Sequence, residues 1–342
     1  MRVGIFGAGS IGAYLGGMLA RSGADVLLLG RAALANAVAA EGLRISDNDG
    51  VDACVPGIRV VQDAQALADR QLIFITTKSA DTGSAGDALA KIWGDGHGRC
   101  IVSFQNGVRN ADVLRRSLPG ASIHAGMVPY NVVWHAPAHF HRGTSGELLI
   151  ESGANAAAVV ALLRRSGLAA SVHADLPAVL WGKLLLNLNN PVNALSDLPL
   201  RAQLLDRGYR RIVAALMREG LQVLNRAGIR PAKAGKVGPR LVPFILDLPT
   251  PLFSRVAASM LKLDAEARSS MWEDLARRRV SEIDWINGEI VQLAARHHMD
   301  APLNRAIVTL IRAAEASGQG SPALSAQVLA SRLADAAQVN SD

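Results

Sequence analysis

The sequence predicts an α/β domain on a parallel sheet with an antiparallel extension, followed by an all-α domain. Three observations lead there. First, short β-type runs alternate with helical patterns in the first half: strands at 3–6, 26–29, 72–76 and 101–104, helices at about 11–22 and 84–93. Second, between residues 122 and 150 the β-type segments "IHAGMVPYNVVW" and "ELLIES" are broken by Pro and Gly with no helix between them, which predicts an antiparallel extension of the sheet. Third, from about Asp175 the periodicity is helical, at 176–188, 209–227, 281–296 and 301–314. The stretch "PAKAGKVGPRLVPFILDLPTPLF" (231–253) predicts an irregular connection with one short helix, and 334–342 a frayed tail. A length of 342 residues divides naturally into domains at 1–173 and 174–342.

Composition narrows the function classes. Half of the residues are hydrophobic, as in a globular protein, and Cys54 and Cys100 form neither a disulfide framework nor a metal-ligand spacing, which suits a reducing compartment. The start of the chain reads as a strand rather than a leader, and the richest apolar run, "AVLWGKLLLNLNNPV", carries Lys183 and several asparagines, so a cytoplasmic protein without a membrane span is expected. A net charge of +7 with scattered arginines, apart from Arg277–Arg279, and only 4% aromatics argues for small anionic ligands rather than nucleic acid.

Gly7, Gly9 and Gly12 form G-x-G-x-x-G between the first strand and the first helix, within "GAGSIG". In a β-α-β unit these glycines permit a tight turn, close approach of a pyrophosphate, and helix-to-strand packing, with the anion at the helix N-terminus, so Gly7, Ala8, Gly9, Ser10, Ile11 and Gly12 are expected to bind a dinucleotide in a Rossmann-type domain. The second strand ends in Gly30-Arg31 rather than in an acid, which predicts NADP(H) over NAD(H), with Arg31 as a fork for the 2′-phosphate. Asp25 precedes that strand and belongs at its far end.

Two further stretches, "TTKSADT" and "SFQNGV", follow predicted strands and put Lys78 and Asn106 at carboxyl ends, where open sheets bind ligands. A surface charge and a simple Asn-Gly turn are the blander readings. In "LWGKLLLNLNNP", Lys183, Asn187 and Asn190 have offsets of four and seven, which place an amine and two amides on one helix face. Asn190-Pro191 reads as a helix break, with Asn190 capping the next helix. Capping does not account for Lys183 among Trp181, Leu184, Leu185 and Leu186, where desolvation would bring its pKa toward the range of a proton donor. In "RRRVSEIDWING", Ser281 and Asp284 read as a capping box and Glu282 as a first-turn carboxylate. His135, His139 and His141 read as residues of the antiparallel extension rather than metal ligands, and His297-His298 as a favourable helix-end contact.

Together these stretches resemble the ketopantoate reductase (2-dehydropantoate 2-reductase) family over nearly the whole chain: "GAGSIG", "TTKSADT", "QNGV", "LWGKLLLN" and "SSMWEDLARRRVSEIDWING" occur in the family's order. The resemblance implies an N-terminal Rossmann domain, a helical C-terminal domain, and NADPH-dependent reduction of a 2-keto acid in a cleft, with ketopantoate first among substrates and pantothenate and coenzyme A synthesis as the pathway. Carried over by motif, Lys183 and Glu282 are the catalytic residues, and Asn106, Asn187, Asn190 and Ser270 bind substrate. Gly7 to Gly12, Arg31, Lys78 and Asn106 contact the cofactor, and a homodimer is compatible with the family. Two departures touch the substrate pocket: Asn190 lies seven residues after Lys183 where eight is usual, and Ala267 stands where asparagine is common. The alternatives are a reductase acting on another 2-keto acid and a non-catalytic NADP(H)-binding regulator.

Overall fold

The structure, a computed structural model, describes residues 1–234, 237–258, 261 and 266–338 in two compact units, Met1–Pro177 and Ala178–Asp342.

The first unit is a mixed sheet with helices. Its strands are β1 (Val3–Phe6), β2 (Val26–Leu29), β3 (Leu43–Asp47), β4 (Asp52–Val55), β5 (Arg59–Val61), β6 (Leu72–Ile75), β7 (Cys100–Ser103), β8 (Ser122–Met127), β9 (Val132–Ala136), β10 (His139–Arg142), β11 (Leu148–Glu151) and β12 (Ala170–His173). The helices are α1 (Ser10–Arg21), α2 (Ala32–Glu41), α3 (Thr82–Trp93), α4 (Asn110–Ser117) and α5 (Ala156–Arg165). The main sheet runs β12-β11-β8-β7-β6-β1-β2-β5, parallel except where β11 opposes β8. Apolar runs such as "LIFI" and "CIVS" are buried at every position, as strands covered on both faces require. Strand order reverses between β1 and β6, so their carboxyl ends form a topological switch point, where open α/β sheets bind ligands.

The expected antiparallel extension divides. The β8–β11 pair extends the main sheet, but β9 and β10 join β3 and β4 in a second sheet of order β4-β3-β10-β9. The reason lies in α1, whose residues from Gly12 to Leu19 are all buried. A helix apolar all round needs cover on the side away from the main sheet, and the second sheet supplies it through Leu43, Ile45 and Phe140. A buried ion pair anchors this layer: Arg142 lies 2.9 Å from Asp47, which also accepts the Tyr14 hydroxyl of α1 at 2.9 Å.

The second unit is helical: α6 (Leu176–Asn187), which begins at the end of the first unit, α7 (Asn189–Ser196), α8 (Leu200–Leu205), α9 (Arg207–Arg226), α10 (Val242–Asp247), α11 (Thr250–Val256), α12 (Ser270–Ala276), α13 (Asn287–Arg296), α14 (Pro302–Ser317) and α15 (Ala326–Gln338). Helix α9 is the axle, packing against α7, α8, α10, α13, α14 and α15. Within 231–253 the structure has two short helices rather than one, because Pro243 and Pro251 fall in first turns, where a missing N–H costs nothing. Gly235 and Lys236 of that stretch lie outside the described residues. The expected frayed tail is helical as far as Gln338, anchored upstream by buried Leu329 and Leu333, and 339–342 lie outside the described residues.

Arg210 of α9 is fully buried and donates to the carbonyls of Leu204, Leu205, Leu246 and Leu248 and to Thr250 Oγ1, with its guanidinium 4.2 Å from the Phe253 ring centroid. It closes the carbonyl ends of α8 and α10, which no single ammonium could do with the same geometry. Arg210→Lys is expected to cost about 3 kcal/mol, the scale of one or two buried carbonyls left unpaired. Urea denaturation checks this, and an unchanged midpoint would refute it.

Candidate active site

The glycine loop is built by sterics as much as by turn geometry. Gly7 has φ +103°, and a Cβ there would lie 2.7 Å from the Thr77 amide nitrogen; at Gly12 it would lie 2.4 Å from the Gly7 carbonyl oxygen. Gly9 differs, because a Cβ there would meet nothing within 4 Å. Among the described residues no atom excludes a side chain at Gly9, so the open space beside its backbone suits a bound group such as a pyrophosphate. The Ala8 N–H is bonded to Leu29 O at 2.8 Å, and the first intrahelical bond of α1 runs from Ala13 N–H to Gly9 O at 2.8 Å. The N–H groups of Ser10, Ile11 and Gly12 precede that bond and are donors for an anion.

Arg31 stands as N-cap of α2 at the carboxyl end of β2, exposed, and its guanidinium makes no hydrogen bond or ion pair among the described residues. Asp25 lies at the opposite end of that strand and pairs with Arg70 at 2.7 Å.

Lys78 and Asn106 emerge from the ends of β6 and β7, and a buried polar network joins their loops. The Ser79 hydroxyl donates to Asn106 O at 2.7 Å, while the Gln105 amide donates to Thr82 Oγ1 at 2.8 Å and to Lys78 O at 3.3 Å. Thr82 in turn donates to Asn110 Oδ1 at 2.8 Å, and Ser103 to Gln105 Oε1 at 2.8 Å. The sequence reading missed Ser79, Thr82, Ser103, Gln105 and Asn110. The available signal was the density of hydroxyl and amide residues at and after the ends of two buried strands.

In the helical unit, Lys183 sits on α6 between Leu184, Leu185 and Trp181, all buried. Part of its side chain meets solvent, but its amine is surrounded by protein. Desolvation pulls its pKa from 10.5 down to about 8, and the nearby Glu282 carboxylate opposes that shift. A close backbone approach helps: a Cβ on Gly182 would fall 2.0 Å from Ala232 O, so only glycine lets 232 lie against this turn, where Ala232 N–H donates to Ala178 O at 2.8 Å.

Two local elements differ from the sequence expectation. Asn190 is not an N-cap: α6 ends at Asn187, Leu188 takes the cap position, and α7 starts at Asn189, with Pro191 inside its first turn, where no N–H is needed. Glu282 is not in an α-helical first turn either. The segment expected to be one helix from 281 is a 3-10 turn, Ile283–Trp285, followed by α13, with Glu282 just before the turn. Ser281 Oγ accepts the Ile283 N–H at 3.2 Å, but Asp284 completes no capping box because it pairs with Arg312 at 2.6 Å.

Asn187 and Asn190 are half-buried and Ser270 is exposed, and the side chains of all three make no hydrogen bond among the described residues. Their neighbours are occupied: Asn189 accepts from Gln203 at 2.8 Å, and Ser269 caps α12 by accepting the Trp272 N–H at 3.2 Å. Two histidines of the second sheet are spoken for as well, with Ser46 Oγ 2.8 Å from both His139 Nε2 and His141 Nδ1, and the third, His135, packs its ring against both at 5.5 Å between centroids. Among the described residues no group of three His, Cys, Asp or Glu side chains is placed to hold a metal ion, and no helix is long and apolar enough to cross a membrane.

A glycine loop at a Rossmann switch point and a helical unit with a desolvated lysine beside a carboxylate define the class: an oxidoreductase acting on CH–OH groups. Residues 3–155 match the family described as Ketopantoate reductase PanE/ApbA, and residues 175–315 match its C-terminal part. The chain belongs to the ketopantoate reductase family. Proteins named 2-dehydropantoate 2-reductase from Halobacterium salinarum and Pyrococcus horikoshii are 27% and 28% identical to it, covering 93% and 94% of this chain and 100% of each relative. The crystal structure of a PanE/ApbA family ketopantoate reductase from Ralstonia eutropha JMP134 superposes with TM-score 0.81 at 30% identity, covering 93% of this chain and 100% of that one. D-mandelate dehydrogenase, solved with NADH and anilino(oxo)acetate, shares the fold at TM-score 0.77 and 22% identity, over 93% and 99% of the two chains.

The two loop glycines should separate in stability. Gly12→Ala is expected to destabilise the protein by about 1–3 kcal/mol through overpacking, whereas Gly9→Ala should melt within about 0.5 kcal/mol of the parent. Thermal denaturation of both variants without added ligand decides it. Equal losses would show that Gly9 is also held by protein packing.

Proposed function

We propose that this chain reduces a 2-keto acid to the 2-hydroxy acid with NADPH, ketopantoate to pantoate being the leading reaction, in pantothenate and coenzyme A biosynthesis. In this reading residues 1–173 hold the cofactor and 174–342 supply the substrate-binding and catalytic groups, in a cytoplasmic enzyme. The observation that carries it is Lys183, an amine whose desolvation brings its pKa to about 8 in a protein of this family.

The chemistry follows from the residues. The glycine loop, Arg31, Lys78 and Asn106 are the residues that would hold NADPH, with Arg31 toward its 2′-phosphate, and the bound cofactor would supply a hydride for the keto carbon. Lys183, as an ammonium, stabilises the negative charge that grows on the carbonyl oxygen and gives that oxygen its proton. A lysine near pKa 8 is still mostly charged at neutral pH, yet releases its proton far more readily than one at 10.5. Glu282 keeps the amine from losing its proton too early and accepts a substrate hydroxyl. Asn187 and Asn190 orient the substrate, and Ser270 donates to its carboxylate.

A second reading keeps this mechanism with a different 2-keto acid. It is favoured by the seven-residue spacing from Lys183 to Asn190 and by Ala267, which puts a methyl where an amide is common in the family. A panel of 2-keto acids separates the two, and a catalytic efficiency for ketopantoate orders of magnitude above the rest would remove the second.

The first test follows the absorbance of reduced nicotinamide with ketopantoate, using NADPH and NADH. NADPH is expected to be preferred, and Arg31→Ala should raise its KM by roughly 10- to 100-fold, the value of charge-assisted bonds to a phosphate, with the KM for NADH within about twofold. Lys183→Ala should lower kcat by roughly 10²- to 10⁴-fold. Tight NADPH binding without turnover of any 2-keto acid would instead support a regulator.

The pH profile gives an independent check. Because the protonated amine is the active form in reduction, kcat/KM should be flat below and fall above about pH 8, while the reverse oxidation, which needs the neutral amine, should rise through the same range. Glu282 raises the lysine pKa, so Glu282→Gln should move the alkaline fall to lower pH. A fall unmoved by Glu282→Gln would take the titration away from this pair.

A further inference from the structure

We infer that Asn193 is a positioning residue for substrate: it fixes where Ser270 stands relative to Asn190, and so sets the fit of the keto acid's carboxylate. This rests on the reading of Ser270 and Asn190 as substrate-binding groups.

Asn193 lies on α7, fully buried, three residues beyond Asn190. Both ends of its amide are used. Its Oδ1 accepts the Ser269 N–H at 2.9 Å, and its Nδ2 donates to Leu198 O at 2.9 Å. Ser269 completes the strap from the other side, because its hydroxyl donates to Asn190 O at 3.1 Å while accepting the Trp272 N–H at 3.2 Å. An offset of three puts Asn190 and Asn193 on one face of α7, so both bonds hold Ser269 against the same surface. Two further ties flank it: Leu200 N–H donates to Ala267 O at 2.8 Å, and the Trp272 indole donates to Asp197 at 2.7 Å.

The consequence falls on the neighbouring residue. Ser270 directly follows the strapped residue, is exposed, and its hydroxyl has no hydrogen-bond partner among the described residues. Helix α12 has seven residues, too few to hold a position by itself, so the strap decides where that hydroxyl points. Lys183 sits on α6, on the far side of the break at Leu188, and is not part of the strap. Loss of the strap should therefore weaken substrate fit more than proton transfer.

The experiment is a double-mutant cycle on the full-length enzyme with ketopantoate. Asn193→Ala is expected to raise the KM for ketopantoate about 10-fold, with kcat within about threefold and the KM for NADPH unchanged. In a Ser270→Ala background the same substitution should add less than about twofold, because the residue it acts through is gone. Ser269→Ala cuts the strap more gently, should show the same pattern if Asn193→Ala does not fold, and should be rescued by Ser269→Thr, which keeps the hydroxyl. The full KM effect persisting in Ser270→Ala, or a loss confined to kcat, would overturn the proposal. An unchanged KM in Ser270→Ala alone would overturn the reading beneath it and the proposal with it.

Discussion

The helical unit depends on one unfavourable placement, an amine held where water solvates it poorly. Removing Lys183 from solvent disfavours its charged form, and the fold accepts this because α6 is otherwise apolar and buried along the same stretch. Two features keep the arrangement workable. Gly182 lets the backbone at Ala232 come against the turn that carries the lysine, and Glu282 offsets part of the desolvation. The chain around that carboxylate is a 3-10 turn rather than an α-helix. Ser281 Oγ accepts the Ile283 N–H and Asp284 pairs with Arg312, while Glu282, at the N-cap of the 3-10 turn, acts on the amine.

The α/β unit solves a different problem, the fixing of loops without charge. Lys78 and Asn106 leave neighbouring strand ends, and their backbones are held by Ser79, Thr82, Gln105 and Asn110, all buried, neutral and mutually hydrogen-bonded. A neutral network adds no net charge, so the loops can be rigid while the formal charges at the strand ends stay with Lys78 and Arg31. The second sheet serves the same end from behind. By covering α1 it fixes the helix whose first N–H groups face the glycine loop.

Much of this was legible in the sequence, for physical reasons that also mark where reading failed. Strands β1, β2, β6 and β7 and the glycine loop announce themselves because parallel strands are continuous apolar runs and two of the loop's glycines, Gly7 and Gly12, are required by contacts close at hand. Lys183 stood out because a charge among leucines needs an explanation. The destination of β9 and β10 was not legible, because pairing with β3 depends on a partner about ninety residues away and on α1 needing a second cover. Arg210 looked like one of many arginines, and its role appears only once the ends of α8 and α10 converge on it. Proline misled twice in opposite ways. At 191 it suggested a helix start two residues late, and at 243 and 251 it suggested irregular chain where it begins helices.

The shortened spacing between Lys183 and Asn190 takes on a definite meaning in this setting. In a continuous helix, one residue fewer would swing the asparagine by about 100° and carry it off the lysine's face. Here a single residue, Leu188, with φ −60° and ψ −11°, separates α6 from α7, and the position of Asn190 is also tied through α7 to Ser269. Those ties run to Ser269, two residues after Ala267, where the second departure from the family pattern occurs, and Ala267 O itself accepts the N–H of Leu200 on α8. The two departures therefore lie on one connected piece, α7 with the residues leading into α12, while the lysine and its carboxylate lie on α6 and before the 3-10 turn. Substitutions on that piece can accumulate without altering the burial and the Glu282 carboxylate that set the lysine's pKa, so under the proposed function the fit of the keto acid could change while the proton donor stays the same.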